Sequence, residues 1–241
     1  MTTIGSRGGR AVSRAGAILR CGWGGWIAAL GVTIVMSAQT APSYAPAIKM
    51  PPERVVDSYA IYEQVLPSNA IEWSEVQRTQ WLLQDVTTAK PLSVACDTSG
   101  MTDLPKAVTP PDERKAEWQE VLDDFTAHCH ERYQLDAAEF RLGLPVHLLD
   151  EEKQGLYWKG VSGFMPPKSN IMQAPATPDD FKGAAGLHSF SAVYFNRKHT
   201  LAATFFGMGC GSLCGNWTWV VLEKTSDGWK RLPWVTVRTF S

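Results

Sequence analysis

The chain has 241 residues, 44% hydrophobic and 20% charged, with a formal net charge of −1. This is a globular composition, with too much apolar material for a disordered chain and no basic excess of the kind that nucleic-acid binders display. The length suits one domain with a substantial core.

The first forty residues have a different character. Arg7, Arg10, Arg14 and Arg20 stand in a stretch without Asp or Glu, followed by the apolar run Cys21 to Ala38 and the small-residue segment SAQTAPSYAPA. That order predicts a secretory signal peptide over residues 1–41, cleaved after Ala38 or Ala41. An uncleaved single anchor is the alternative, since the run is about 18 residues long. Arg20 ahead of Cys21 argues against a lipoprotein signal. Without residues 1–41 the chain keeps 19 basic and 24 acidic residues, a formal charge of −5, so no nucleic-acid partner is expected. The only membrane contact expected is through that segment if it stays attached.

Residues 42–52 read as an extended, proline-rich linker, and residues 53–241 as a single α+β domain. Pro51-Pro52 opens a helix in which Val55, Tyr59, Tyr62 and Leu66 recur at helical spacing until Pro67. Arg78 to Ala89 suits a strand, and Lys90 to Pro111 a long loop. Asp112 to Leu135 predicts the clearest helix, with Trp118, Val121, Leu122, Phe125 and Cys129 on one face. Pro145 to Asp150 is a short strand, Asp150 a cap for a brief helix through Trp158, and Gly160 to Pro178 another loop. FSAVYFN, HTLAATFFGMG, NWTWVVLEK and GWKRLPWVTVRTF then read as four consecutive antiparallel strands, with Asp227-Gly228 at one hairpin turn. The fold class is therefore α+β, N-terminal helices packed on a C-terminal antiparallel meander.

GMGCGSLCGNWTW, residues 207–219, places Cys210 and Cys214 between two of these strands. With Cys96 and Cys129 they make four cysteines beyond the N-terminal segment, an even number that an exported chain uses for disulfides, with three connectivities open. The economical pairing is Cys210 with Cys214 and Cys96 with Cys129. Gly209, Gly211 and Gly215 are expected to supply the positive φ angles of a tight loop. A structural staple is the plain reading. A redox-active pair is a second, since small rings are easier to reduce, although C-x-x-C spacing at a helix start is missing. A metal is a third and lacks two further ligands nearby, so no metal and no cofactor is expected.

FSAVYFN, CGSLCG, the aromatic strand ending VVLEK, and DGWK together resemble the C-terminal half of a family of uncharacterised exported bacterial proteins. Asp85-Val86-Thr87-Thr88 and the DDF of Asp123 to Phe125 fit the same pattern. The resemblance spans most of residues 53–241, with CGxLCG its specific element. It implies an exported α+β protein and no particular activity. NWTWVVLEK is richer in tryptophan than that family's strand.

His128-Cys129-His130 invites a metal reading, but neighbours on a helix point about 100° apart and cannot share one ion. Glu120, Asp123 and Asp124 read as a solvated face. Ser212 lacks a nucleophile elbow, and spacing alone does not make His188 or His199 with Asp85 its triad partners. Trp217 and Trp219 face one side of a strand, with Trp229 and Trp234 following on the next. Core packing is the plain reading of these four, and an exposed aromatic binding surface for a glycan or peptide the sharper one. The functional expectation is an exported envelope or periplasmic protein, a non-enzymatic binding or scaffolding module for an envelope ligand or protein. An envelope thiol oxidoreductase or hydrolase with its site near Cys210 and Cys214 is the alternative.

Overall fold

A computed structural model of the chain describes residues 42–68, 78–96, 103–161, 179–211, 214–235 and 238–240. Helix α1 (Pro52–Ser68) starts on the proline pair, and Tyr59, Tyr62, Val65 and Leu66 bury its inner stripe. Helix α3 (Lys115–His128) buries Trp118, Val121 and Phe125. Helix α4 (Glu151–Val161) is capped as its sequence predicts: Asp150 Oδ1 accepts from the Lys153 backbone N–H at 2.9 Å. A four-residue helix α2 (Leu104–Ala107) interrupts the segment expected to be a loop.

The sheet is larger than a meander. Its path runs β10-β8-β7-β5-β2-β4, from Arg238–Phe240, Cys214–Thr225, Leu201–Gly211, Leu187–Phe190, Trp81–Gln84 and Val146–Leu149. Strand β2 lies parallel between β4 and β5, so the sheet is mixed, not purely antiparallel. The segment expected to be one strand, FSAVYFN, is broken. β5 and β6 (Tyr194–Phe195) pair with different stretches of β7. Between them Ser191 holds the Phe205 N–H on its hydroxyl at 2.8 Å. The last predicted strand is divided in the same way at Pro233. β9 (Gly228–Leu232) and β10 pair with opposite ends of β8, and proline cannot supply the ladder donor between them. The β8–β9 turn is closed by Gly228 at φ 111°, a conformation that glycine adopts without strain.

The long helix predicted over 112–135 ends at His128. A turn follows, in which the Glu131 N–H meets the His128 carbonyl at 2.9 Å, and Arg132–Gln134 becomes β3. Tertiary pairing overrides local helical preference here. Tyr133 exchanges hydrogen bonds with Thr87, and β3 pairs in parallel with β1 (Ala47–Lys49), which lies in the extended lead-in.

Helices cover both sheet faces. Successive side chains of β7 and β8 point to opposite sides, so Trp219 and its partner Phe205 share one face while Phe206 lies on the other. On the first face Phe125 of α3 meets Trp219 and Tyr194, with ring centroids 5.8 and 5.0 Å apart. On the second, Tyr62 of α1 stacks on Phe190 at 4.5 Å, and Phe190 meets Phe206. This is an α+β fold with its core on both sides of the long β7–β8 hairpin. Among the described residues no helix is long and apolar enough to cross a membrane.

Candidate functional site

Both expected disulfides are present. Cys96–Cys129 closes a 33-residue separation with Cα atoms 6.0 Å apart, and Cys210–Cys214 closes one of four residues at 5.1 Å. Such bonds fit an oxidising extracellular location. Cys210 is the extra residue of a β-bulge: Gly209 pairs with Gly215 and Gly211 with Cys214, leaving Cys210 without a register partner. The bond therefore fixes a slip in the register at the end of the hairpin.

The three glycines around it do different jobs. Only Gly211 has a positive φ, at 156°. Gly209 and Gly215 are glycines because indoles lie on them. A Cβ on Gly209 would clash with the Trp158 ring edge, 2.4 Å from Cη2, and one on Gly215 with the Trp217 ring edge, 2.1 Å from Cη2. Trp217 also runs over its cross-strand partner Gly207, where a Cβ would sit 2.9 Å from its Cδ1. Glycine at such positions admits a ring against bare backbone. Trp158 is 36% exposed and Trp217 half-buried, and the glycines they meet, Gly209 and Gly215, are register partners across the β7–β8 ladder. The neighbouring Tyr157 hydroxyl donates to the Gly209 carbonyl at 3.1 Å. Burial pushes that phenol up to about 12, which keeps it a donor at neutral pH.

Of the two readings of the four tryptophans, core packing holds for three of them and the four-residue exposed surface does not form. Trp219, Trp229 and Trp234 are buried to 3%, 8% and 8% exposure. Trp219 and Trp229 lie on opposite sheet faces, since Trp229 pairs with Lys224 and reaches Asp57 of α1. Trp234 packs edge-on against Trp118 of α3. These three are core residues because each meets a helix. Trp217 alone keeps an open face, and its companion is Trp158, which the sequence placed only at a helix end.

The opposite face at the same end of the sheet holds His188, buried between Trp81 and Phe206 with its Nδ1 3.0 Å from the Leu82 carbonyl. Burial pulls its pKa down to about 4. The unfolded chain binds this proton near pH 6.5 and the folded chain does not until about pH 4, so stability falls as pH drops through that window. Wild type is expected to lose about 3 kcal/mol more than His188→Gln between pH 7 and pH 4 in urea titrations. Equal losses in the two proteins would refute the assignment.

The described members of the hydrolase grouping weighed from sequence each take other partners. His188 meets Leu82, His199 faces Asp57 at 3.6 Å, and Asp85 accepts from Gln134. Ser212 lies outside the described residues. The two histidines flanking Cys129 diverge because the helix ends at His128 and His130 lies in the turn that follows. His128 turns back to Asp124 at 2.9 Å, whereas His130 places Nε2 3.5 Å from Cys96 Sγ. Helical spacing concerns only neighbours in sequence and carries no sign of Cys96, 34 positions away, as a companion for His130. No family model matches the chain, and no curated protein or solved structure is significantly similar to it.

Proposed function

We propose that the protein is an exported, disulfide-stapled binding module that takes a neutral envelope ligand on Trp158 and Trp217. The observation that carries this reading is two partly exposed indoles laid on Gly207, Gly209 and Gly215 beside a locked hairpin end. Ordering an aromatic surface before the ligand arrives removes part of the entropic penalty of binding. Sugar rings suit such a surface, since their C–H faces lie on indole planes while Ser189, near Gly207, offers a hydroxyl at its margin. Two disulfides and the predicted signal segment support an oxidising compartment, and the CGxLCG resemblance supports the same class of exported protein. The test is cosedimentation with purified envelope glycan. Trp158→Ala and Trp217→Ala are each expected to weaken retention at least tenfold. Trp234→Phe, in the core, should leave it unchanged. Equal retention by all four proteins overturns the reading.

A second reading, dithiol exchange at Cys210–Cys214, is favoured by the partial exposure of both residues. It requires the bond to open at potentials between about −270 and −120 mV, where thiol exchangers operate. A glutathione titration that leaves the bond closed below about −300 mV removes this reading and keeps the hairpin as a staple.

A further inference from the structure

The geometry points to a site for a zinc ion made by Cys96, Cys129 and His130 when the Cys96–Cys129 disulfide is reduced. One ligand atom from each of the three lies within 4.8 Å of the other two. His130 Nε2 stands 3.5 Å from Cys96 Sγ. Two ligands on one tetrahedral zinc, with Zn–S about 2.3 Å and Zn–N about 2.05 Å, stand about 3.6 Å apart. The imidazole is thus already at ligand spacing from one sulfur. The sulfurs must part to about 3.8 Å, with Cys129 Sγ, which lies within 4.8 Å of the imidazole, settling at about 3.6 Å from it, for all three to bind the same ion.

The ring is also oriented as a ligand. His130 Nδ1 lies 3.1 Å from the Lys90 carbonyl, which takes its N–H and leaves the Nε2 lone pair facing Cys96 Sγ. Lys90 frames the rest. Its backbone N–H donates to the Cys129 carbonyl at 2.9 Å and its ammonium to the Cys96 carbonyl at 3.0 Å. Neither bond involves a sulfur, so neither depends on the disulfide. Cys129 is buried and Cys96 nearly so, while His130 is partly exposed and gives the ion an approach. Three protein ligands leave the fourth tetrahedral position for water.

The chemistry balances with an external dithiol as reductant. It gives two electrons and two protons to the Cys96–Cys129 bond and becomes a disulfide itself. Zinc then binds the two sulfurs as thiolates, releasing two protons, and the resulting Cys2His centre has no net charge. The same residues therefore hold a covalent bond when oxidised and a metal when reduced.

Cobalt is the spectroscopic probe. The full chain with Cys21→Ser is reduced, freed of reductant and titrated anaerobically with Co2+, then with Zn2+ against a chromophoric chelator. The expected result is tetrahedral cobalt bands with sulfur-to-metal charge transfer, displaced by one equivalent of zinc. His130→Ala, which keeps both cysteines, should weaken zinc binding at least tenfold and change the cobalt bands. Cys210→Ser/Cys214→Ser should leave both unchanged, which separates this site from the hairpin pair. Absent or octahedral cobalt bands, equal zinc affinity in His130→Ala, or loss of the far-ultraviolet dichroism of the fold in the zinc-loaded reduced chain would each overturn the assignment.

Discussion

Replacing Asp124 with alanine is expected to lower the free energy of unfolding by about 3–5 kcal/mol. The carboxylate is 15% exposed and serves three elements at once. It accepts from Arg54 of α1 at 2.5 and 3.1 Å and from the Phe195 N–H of β6 at 2.8 Å, and it faces His128 one helical turn on. Arg54, 11% exposed, adds a bond to the Val193 carbonyl at 3.0 Å and lies over the Phe195 ring. Losing Asp124 strands a nearly buried guanidinium and a backbone donor together, and leaving a buried charge unpaired is the costly step. Arg54→Ala/Asp124→Ala should therefore be less destabilised than the sum of the single variants. The control is Glu120→Ala, whose ion pair with the exposed Arg197 spans 3.9 Å and is worth less than about 1 kcal/mol. A loss at Asp124 no larger than that at Glu120 would show that the clamp contributes little.

In the sequence Asp124 reads as part of a solvated acidic face, because a local pattern does not name tertiary partners. Helical spacing correctly put Trp118, Val121 and Phe125 on the inner stripe of α3, because periodicity is a local property. Whether Asp124, on the margin of that stripe, meets water or Arg54 depends on a helix 70 residues away. The same division holds elsewhere. The β7–β8–β9 hairpins were legible from alternation and the Asp-Gly turn, whereas the parallel insertion of Trp81–Gln84 between β4 and β5 was not, since a short apolar run does not name its partners. At the candidate site the cysteine pair and Trp217 were visible. Trp158 was not, because only Gly209, 51 positions away, explains why an indole belongs there. In the sequence the glycines read as turn-formers, whereas Gly209 and Gly215 leave room for indole edges, and a sequence writes both roles with the same letter.

Removing the Cys96–Cys129 bond as Cys96→Ala/Cys129→Ala is expected to reduce stability by about 4 kcal/mol, against about 2 kcal/mol for Cys210→Ala/Cys214→Ala. The difference follows from the lengths of chain closed, 33 and four residues, because a longer loop loses more freedom in the unfolded state when its ends are joined. Location adds to this. Cys129 ends α3 beside the turn into β3, and Cys96 ties the segment after β2 to the same point, so the bond supports the place where helix gives way to strand. Chemical denaturation of the two double variants measures the ordering directly, and equal losses would mean that loop length does not govern either bond. Zinc separates the covalent contribution from the geometric one. At zinc concentrations 100-fold above its dissociation constant, the reduced wild-type chain should regain about 2.7 kcal/mol, whereas the alanine double variant, lacking both sulfurs, should regain none. Recovery of both proteins, or of neither, would place the stabilisation elsewhere than at Cys96, Cys129 and His130.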